Sequence, residues 1–474
     1  MECRAPLPAD NIASGDAGIA VAHGGRTTPG PEGPVAPDAN VDPVALLGAL
    51  VRKYGDTVRY DTKFGPCFLF VHPADVETIL HRENFRRAAL TKMMLGDGLL
   101  SSDGPIWKSQ RRLMQGDFVR TSITRFAPLF ARRTSQTGEK WRAAAETGAT
   151  VDVTAAMTEL TLRIIVDALF SDDLNDVQTI QLCDAVSDSL GVLGNLSRTV
   201  FGIPVSLSPE DTKLLASART VFDAACFEMI SRRRSMKPAE RPEDLLTLLI
   251  ESEDETDSQC NRRLRDQIVT MLVSGHETTG LALSWTWKLL AEHPMAESTL
   301  HEEVDDVLQG RIPDLSDVPR LTYTTAVIHE AMRLYPPVWN IVRVADHADV
   351  VGGHAIPRGA CVSVSPWFTH RHPEFWPQPE RFDPTRFLGA QQRHRYAFFP
   401  FGGGRHQCIG MYLAMLEATM LLAQLAQQFC VRPVASESAR PNLGLTLRQI
   451  PHLEARIKTR FAKAAIGALH GEEP

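Results

Sequence analysis

The hydrophobic residues of this chain recur every three to four positions over long stretches, which is the period of an amphipathic α-helix. Four such stretches follow one another between residues 121 and 250, and two more lie between residues 258 and 335. Another begins at Ile409. This pattern predicts helices over Ser122–Glu146, Val153–Phe170, Asp176–Leu193, Pro209–Met236, Ser258–His293 and Leu321–Tyr335.

Short apolar and alternating runs between turn residues indicate a smaller β region. Helices predicted at Pro43–Tyr54 and Pro73–Arg82 flank the first two runs. The predicted strands are Thr57–Thr62, Cys67–Val71, Trp339–Ala345, Asp349–Gly353 and Ala360–Ser365, with a last hairpin over Pro441–Leu453 that turns near Gly444. The two patterns together predict a mainly α fold with a smaller β region, an α+β fold in one structural unit.

Two apolar loops interrupt the helices. Glu83–Gly104 does not settle into one period, and Gly194–Leu207 connects two long predicted helices. Both are compatible with ordinary loops packed on the core or on the surface, and the second is also compatible with a lid over a pocket. The pattern leaves these interpretations open.

The two ends of the chain differ in composition from its centre. Residues 1–40 are rich in Gly, Pro and Ala, which predicts a flexible leader. We expect the globular domain to span residues 41–460 and a tail to follow over residues 461–474. No apolar run approaches the roughly 18 residues that cross a bilayer, and the first 40 residues lack the pattern of a signal peptide. We therefore expect a cytoplasmic protein without a membrane anchor.

Charge and cysteine usage narrow the class of protein further. The formal net charge of -7 argues against a nucleic-acid partner. The eight cysteines are scattered without paired spacing, which suits a reducing compartment better than a disulfide framework. Hydrophobic residues make up 43% of the 474 positions, which is enough for a large core. Composition and charge exclude some classes of protein but do not identify the function, for which local motifs are needed.

One stretch, from Phe398 to Gly410, combines three consecutive glycines with a single cysteine just before a helix. Glycines tolerate positive φ and let the backbone approach a flat or bulky group. The amides and dipole of the following helix are expected to lower the pKa of Cys408 and favour its anion. Such a thiolate is compatible with a nucleophile, a zinc ligand assisted by His406, or an axial ligand of haem iron, and a lone cysteine is most often a buried structural residue.

A second stretch, Ser274–Thr279, lies inside the longest predicted helix. Gly275 in a helix interior costs about 1 kcal/mol relative to Ala and therefore needs a reason. Ser274 and Thr278 share a face with Gly275 beside them, and these small residues leave room for a flat cofactor and a diatomic ligand. Thr278 offers a hydroxyl at that opening, and Glu277 can connect it to solvent protons.

The pattern Phe401-x-x-Gly404-x-His406-x-Cys408-x-Gly410 resembles the haem-binding signature of the cytochrome P450 monooxygenases. Other motifs of that family follow in the same order along the chain. The resemblance implies a cytochrome P450 fold around one haem b, with Cys408 as the axial ligand of the iron. His406 stands where the family usually has Arg.

The resemblance covers residues 30 to 456 and implies roles for further residues. Thr278 and Glu277 match the acid–alcohol pair that delivers protons during the activation of O2. The residues implied to contact the haem or its propionates are Trp107, Arg111, Arg343, His406, Phe401, Gly402 and Gly275. Those implied to brace the cysteine loop are Glu330, Arg333 and Arg381, and those implied to line the substrate pocket, which Glu83–Gly104 would cap, are Leu95, Ser274, Val338, Ile341 and Val342.

The implied activity is a haem-thiolate monooxygenase that inserts one oxygen atom of O2 into a C–H or C=C bond of an apolar small molecule. A terpenoid, polyketide or fatty acyl intermediate of natural-product biosynthesis is compatible with such a pocket. No Rossmann glycine fingerprint, flavin domain or iron–sulfur motif occurs in the 474 residues. Electrons from NAD(P)H are therefore expected through a separate ferredoxin or flavodoxin and its reductase.

Four basic residues are candidates for docking that electron donor: Lys108, Arg112, Arg393 and Arg395. A patch of positive charge would attract an acidic donor, and a solvated surface is the alternative interpretation. We expect a monomer.

Two other functions fit the same motifs. One is a haem-thiolate enzyme of the same fold that uses peroxide or rearranges its substrate, against which the Glu277–Thr278 pair argues. The other is a haem sensor or ligand-binding protein without turnover. Activity with hydrogen peroxide but none with a redox chain would favour the first, and carbon monoxide binding without coupled consumption of reductant would favour the second.

Overall fold

A computed structural model of the chain describes residues 25–33, 35, 40–62, 65–88, 92–171, 175–203, 205–389, 392–434 and 439–460. The predicted tail lies outside the described residues, as does most of the predicted leader. In the part of the leader that is described, the Arg26 amide donates to the Gly353 carbonyl at 2.8 Å, and the Ala355 amide donates to the Arg26 carbonyl at 3.1 Å. This short segment therefore lies along a strand of the β region.

Helices dominate the described residues, which confirms the mainly α prediction. None of the helices found there is both long and apolar enough to cross a membrane. Fifteen α-helices are described: α1 (Pro43–Tyr54), α2 (Pro73–His81), α3 (Lys92–Leu95), α4 (Gly104–Met114), α5 (Arg120–Ile123), α6 (Ala127–Thr147), α7 (Val153–Phe170), α8 (Asp176–Ser197), α9 (Pro209–Ser235), α10 (Leu245–Glu251), α11 (Cys260–Glu292), α12 (Pro294–Leu308), α13 (Thr322–Leu334), α14 (Pro366–Thr369) and α15 (Met411–Ala426).

The described strands form small sheets beside the helices. They are β1 (Thr57–Thr62), β2 (Gly65–Phe70), β3 (Phe85–Arg87), β4 (Thr150–Asp152), β5 (Ile341–Ala345), β6 (Asp349–Val351), β7 (His354–Ile356), β8 (Cys361–Val364), β9 (Phe429–Pro433), β10 (Arg440–Leu443), β11 (Leu447–Ile450) and β12 (Glu454–Thr459). The largest sheet has the order β1-β2-β8-β5-β3, with β2 and β8 parallel. A second sheet has the order β4-β12-β9, and two hairpins pair β6 with β7 and β10 with β11.

Local sequence explains where several helices begin. Asn175 caps α8 and forms a reciprocal capping box with Gln178. Ser208 and Asp211 do the same for α9, which has Pro209 in its first turn. These caps satisfy amides that a helix leaves without intrahelical partners.

The predictions differ from the observed helices in several places. The single helix expected over Ser122–Glu146 is divided into α5, a 3-10 turn at Thr124–Phe126 and α6. Pro128 lies in the first turn of α6, where its missing amide costs nothing. The loop expected over Gly194–Leu207 begins as helix, because α8 continues to Ser197 and a 3-10 turn spans Arg198–Phe201. Helices α10 and α12 were not predicted.

Helix α11 runs through the core, is 33 residues long and therefore spans about 50 Å. It packs along α7, and its glycines permit that contact. A Cβ at Gly275 would lie 2.6 Å from Ile165 Cγ1, and one at Gly280 would lie 2.9 Å from Thr158 Cα. The absence of a side chain at Gly275 is thus required by helix packing, a reason that adds to the predicted role in leaving room for a cofactor.

Candidate active site

A cavity of about 460 Å³ lies against α11, between that helix and the loop before α15. Aliphatic and aromatic side chains form most of its lining. The five residues predicted to line a substrate pocket all border it: Leu95, Ser274, Val338, Ile341 and Val342. Residues from distant parts of the chain therefore enclose one apolar space.

The glycines before Cys408 fit close to other parts of the protein. Gly402 and Gly404 adopt φ of +67° and +62°, which favours glycine. A Cβ at Gly404 would lie 2.0 Å from the Leu80 carbonyl, and one at Gly403 would lie 2.3 Å from the Tyr396 ring. Gly404 thus approaches α2 and Gly403 approaches Tyr396, while Gly402 and Gly403 both border the cavity.

Cys408 is the cysteine that lines the cavity among the described residues. Its amide donates to the Phe401 carbonyl at 2.9 Å, which closes the loop, and its side chain is accessible from the cavity. Burial of the thiol raises its pKa, although the Gly410 amide and the Arg111 guanidinium act in the opposite direction. The Gly410 amide at the start of α15 therefore acts in the predicted direction, and in the protein alone burial outweighs it.

Two predicted arginines meet at one end of the cavity. Arg111 Nη1 donates to the Gln407 carbonyl at 2.9 Å, and Arg343 Nη1 donates to the Val342 carbonyl at 2.9 Å. Burial lowers the pKa of Arg111, and it lowers the pKa of Arg343 to about 10. Both guanidinium groups line the cavity with neutral carbonyls as their hydrogen-bond acceptors.

Arg87 was not predicted from the sequence, yet it completes this end of the cavity. It lies opposite Arg343 in the register of β3 and β5, and its Nη1 donates to the Leu100 carbonyl at 2.9 Å. Burial lowers the pKa of Arg87 to about 9. We call Arg87, Arg111 and Arg343 the cationic corner. Asp103 is the carboxylate that acts on Arg87 and Arg343, so the corner carries excess positive charge.

His406 lies at the edge of the cationic corner. Its ring is 4.5 Å from that of Trp107 at an angle of 77°, and its Nε2 is 3.2 Å from Asp103 Oδ1. Burial lowers the pKa of His406 to about 3, Arg87, Arg343 and Arg405 act in the same direction, and Asp103 opposes them. Trp107 and His406 both line the cavity, as does Phe401. The imidazole is therefore a neutral group beside three cations.

The two predicted proton-delivery residues face different surroundings. Thr278 lines the cavity, and its Oγ1 donates to the Ser274 carbonyl at 2.9 Å. Glu277 points the other way, toward Arg448 and Thr446 of the hairpin formed by β10 and β11. Burial raises the pKa of the Glu277 carboxyl, while Arg448 and then Thr446 oppose the rise. Arg448 was not predicted, because only the tertiary structure brings this hairpin to α11.

Glu330 and Arg333 lie side by side on α13 with both side chains fully buried, their closest atoms 2.6 Å apart. The expected contact of the Arg381 side chain with this pair is wrong. Arg381 is exposed, and only its carbonyl accepts a hydrogen bond from Arg333, at 3.0 Å. Arg386 is the third member, with its Nε 3.5 Å from Glu330 Oε1. It belongs to a second Pro-x-Arg-Phe element, Pro384–Phe387, directly after the one chosen from the sequence.

Three of the four candidate docking residues are exposed. Lys108 and Arg112 are exposed on α4, and Arg395 is exposed near the cysteine loop. The guanidinium of Arg393 instead packs on the Trp376 ring, 4.0 Å from its centroid, and donates to the Arg386 carbonyl. Arg393 is therefore unavailable to a partner, contrary to the prediction.

Cys430 belongs to a separate group with Glu297 and His301, whose potential ligand atoms lie within 4.8 Å of one another. Arg432 donates to both carboxylate oxygens of Glu297 at 2.8 Å. An arginine thus already neutralises the carboxylate of this group. Cys430 is not among the residues that line the cavity.

The architecture is that of a helical haem domain. The crystal structure of the cytochrome P450DA heme domain superposes with a TM-score of 0.81 at 23% sequence identity, covering 93% of this chain and 99% of that chain. The sequence model of the cytochrome P450 family matches residues 42–456. The chain belongs to the cytochrome P450 family and is an oxidoreductase, a P450 monooxygenase. Members of this family hold haem iron through a thiolate ligand.

Two curated relatives are similar over most of their lengths. Cyclooctatin synthase of Streptomyces melanosporofaciens is 34% identical over 430 residues, which cover 86% of this chain and 91% of that protein. Cyclooctat-9-en-7-ol 5-monooxygenase of the same organism is 34% identical over 405 residues, which cover 83% of this chain and 86% of that protein. The chain thus matches nearly whole proteins of the family.

Proposed function

We propose that this monooxygenase binds haem b through Cys408 and oxygenates an apolar terpenoid intermediate. In the balanced reaction, substrate R–H, O2, two electrons and two protons give R–OH and water. The observation that carries the proposal is a single accessible thiol in an apolar cavity that also contains the Thr278 hydroxyl and the cationic corner.

The residues present fit haem in charge as well as in ligand type. Arg87, Arg111 and Arg343 are buried cations whose hydrogen bonds go mainly to carbonyls, and such groups favour anionic partners. We infer that they hold the two propionates, with Trp107 and His406 packed beside them. Bound haem supplies the activation of O2 that oxidises an unactivated C–H bond.

The chain's own contributions are positioning, exclusion of water and supply of protons. The Thr278 hydroxyl lies on the cavity wall, where it can donate a hydrogen bond to a bound oxygen ligand. We infer that Glu277, which directly precedes Thr278 in the chain, is the acid that supplies protons to the Thr278 hydroxyl. The apolar walls around Leu95, Val338 and Ile341 bind substrate and keep bulk water away.

The lining supports a neutral, largely hydrocarbon substrate. Beside the cationic corner, His406 and Glu417, the described lining residues are uncharged. Burial raises the pKa of Glu417 well above its usual value, so this carboxyl is neutral as well. The printed name of one relative states that it oxygenates cyclooctat-9-en-7-ol, a cyclic alcohol. We therefore propose a cyclic terpenoid of that kind as the substrate class.

Electrons are proposed to come from NAD(P)H through a ferredoxin or flavodoxin and its reductase. Exposed Lys108, Arg112 and Arg395 favour an acidic donor. The described cysteines form no disulfide, which supports a reducing, cytoplasmic location.

The test is the absorption spectrum of the reduced protein under carbon monoxide. We expect a strongly red-shifted Soret band in the wild type and in the control Cys430→Ser, and its loss in Cys408→Ser. Titration with cyclic terpenoids should then shift the spin state as water leaves the iron. A Soret band retained in Cys408→Ser would refute the ligand assignment, and product formed only with hydrogen peroxide would favour a peroxygenase.

A further inference from the structure

Glu277 is held by a hairpin that is distant in sequence. Arg448 Nε donates to Glu277 Oε1 at 2.7 Å, and its Nη2 also contacts that oxygen. Thr446 Oγ1 donates to Oε2 at 3.2 Å. The Glu277 side chain is only 6% exposed, so both of its oxygens are engaged inside the protein. The acid is therefore not in contact with solvent in this conformation.

Arg448 extends from the buried carboxylate to the protein surface. Its Nη1 donates to the Ser187 carbonyl at 2.9 Å and to the Ser187 hydroxyl at 3.1 Å. Ser187 is an exposed residue of α8, and the Arg448 side chain is 20% exposed. The guanidinium thus occupies the space between Glu277 and the nearest solvent on this side.

The same hairpin forms part of the cavity wall, because its turn residues Gly444, Leu445 and Thr446 line the cavity. The turn is fixed at both ends: Trp339 Nε1 donates to the Gly444 carbonyl at 2.7 Å, and Trp285 Nε1 donates to the Leu447 carbonyl at 2.9 Å. A ligand in the cavity therefore touches the segment that carries Arg448, two residues beyond the turn.

Few charged groups interact with the Glu277 carboxyl. Arg448 is the charge that acts on this carboxyl among the described residues. The neighbouring His276 on α11 is neutral, since burial lowers its pKa to about 4, and α8 contributes only the Ser187 groups that bind Arg448. His452, beyond β11, also senses Arg448, and this has to be controlled in any measurement at varied pH.

We infer that Arg448 is a positioning residue for proton delivery. It holds one oxygen of the Glu277 carboxylate and closes the group to solvent, while Thr446 on the cavity wall holds the other oxygen, so the hairpin sets the position of the acid relative to Thr278. This inference rests on the proposed function, because it assumes that Glu277 supplies protons for oxygen activation. It makes the hairpin, and not α11 alone, responsible for the position of the proton source.

The first measurement determines, for the haem-loaded enzyme with its redox chain, what share of the electrons ends in product and what share in hydrogen peroxide. Productive turnover uses two electrons, two protons, O2 and R–H to form R–OH and water, whereas uncoupled turnover uses the same electrons and protons to form H2O2. In Arg448→Gln, we expect the share of electrons released as hydrogen peroxide to rise at least about twofold, because the Glu277 carboxyl is no longer held in one position next to Thr278. Arg448→Lys should restore part of the coupling.

Arg440→Gln is the matched control, since Arg440 is an exposed arginine of β10 in the same hairpin. It should leave the peroxide share unchanged. The substrate-induced spin-state shift and KM should change little in Arg448→Gln, because Arg448 does not line the cavity. A peroxide share in Arg448→Gln equal to that of Arg440→Gln would overturn the inference.

The second measurement does not depend on turnover. The loss of thermal stability caused by Arg448→Gln should be largest at alkaline pH, where Glu277 is ionised and paired, and should shrink as the pH falls and the carboxyl, whose pKa burial raises, takes up a proton. In a Glu277→Gln background, the part of this pH dependence that comes from Glu277 should disappear, and any part that remains measures the contribution of His452. The same pH dependence in both backgrounds would refute the pairing.

The outcomes separate this inference from the proposed function. If the wild type forms no product, the proposed function fails, and the stability measurement alone decides whether Arg448 holds Glu277. If Glu277→Gln forms product as fast as the wild type, instead of about 10²-fold more slowly, Glu277 is not the acid and the inference fails with the function intact.

Discussion

Replacing Glu330 by Gln tests how the cysteine loop is supported. Glu330 and Arg333 are both fully buried, with hydrogen bonds of 2.6 and 2.7 Å between them. Glu330 Oε1 also accepts a hydrogen bond from the Asp383 amide at 2.9 Å and lies 3.5 Å from Arg386 Nε. The substitution keeps the shape of the side chain but removes the one negative charge at this site.

The expected cost follows from the burial of the partner. Removing one member of a buried ion pair leaves an uncompensated charge and costs about 3–5 kcal/mol. Arg333 keeps hydrogen bonds to the carbonyls of His370, Pro379 and Arg381, which favours the lower end of that range. We therefore expect Glu330→Gln to lower the free energy of unfolding by about 3 kcal/mol.

Urea unfolding followed by far-ultraviolet circular dichroism measures this difference, with Arg381→Gln as the control. Arg381 is exposed, so its substitution should cost about 0.5 kcal/mol or less, whereas Arg386→Gln should cost more. A loss in Arg381→Gln as large as that in Glu330→Gln would refute the assignment of Arg386 as the third member. Little loss in Glu330→Gln would refute the reasoning from burial.

Three further predictions concern other parts of the structure. Arg87→Gln should weaken haem retention in a dilution assay as much as Arg343→Gln does, because both are buried cations of the cationic corner; unchanged retention in Arg87→Gln alone would exclude it from the corner's role. Thr278→Ala should lower product formed per NAD(P)H and raise peroxide release, and unaltered coupling would contradict its role as a donor. Burial lowers the pKa of His329 to about 4, so stability should fall as the pH falls from about 6.5 toward 4, where the unfolded chain binds more protons. His329→Phe should reduce that fall in urea midpoints, and an identical pH profile would refute it.

The cysteine loop shows which features could be predicted from one contiguous stretch of sequence. Its glycines, its single cysteine and the helix that follows are contiguous, so their relation could be predicted from the sequence. The partners of the glycines could not, because α2 and Tyr396 come from other segments. The same limit explains why Arg381 was wrongly chosen as the partner of Glu330 and Arg333. Two Pro-x-Arg-Phe elements follow each other in the sequence, and only packing against Glu330 distinguishes them.

The sequence by itself determined the helical periods, the approximate bounds of the long helices and the resemblance to the family, and through that resemblance several of the residues that border the cavity. These follow from spacing along one segment or from a contiguous motif. Only the tertiary structure decided that Arg87 joins Arg343, that Arg448 holds Glu277 and that Arg393 packs on Trp376. Each of these contacts depends on strand register or on packing between distant segments, and a charged residue in isolation carries no signal of which partner the fold will bring to it.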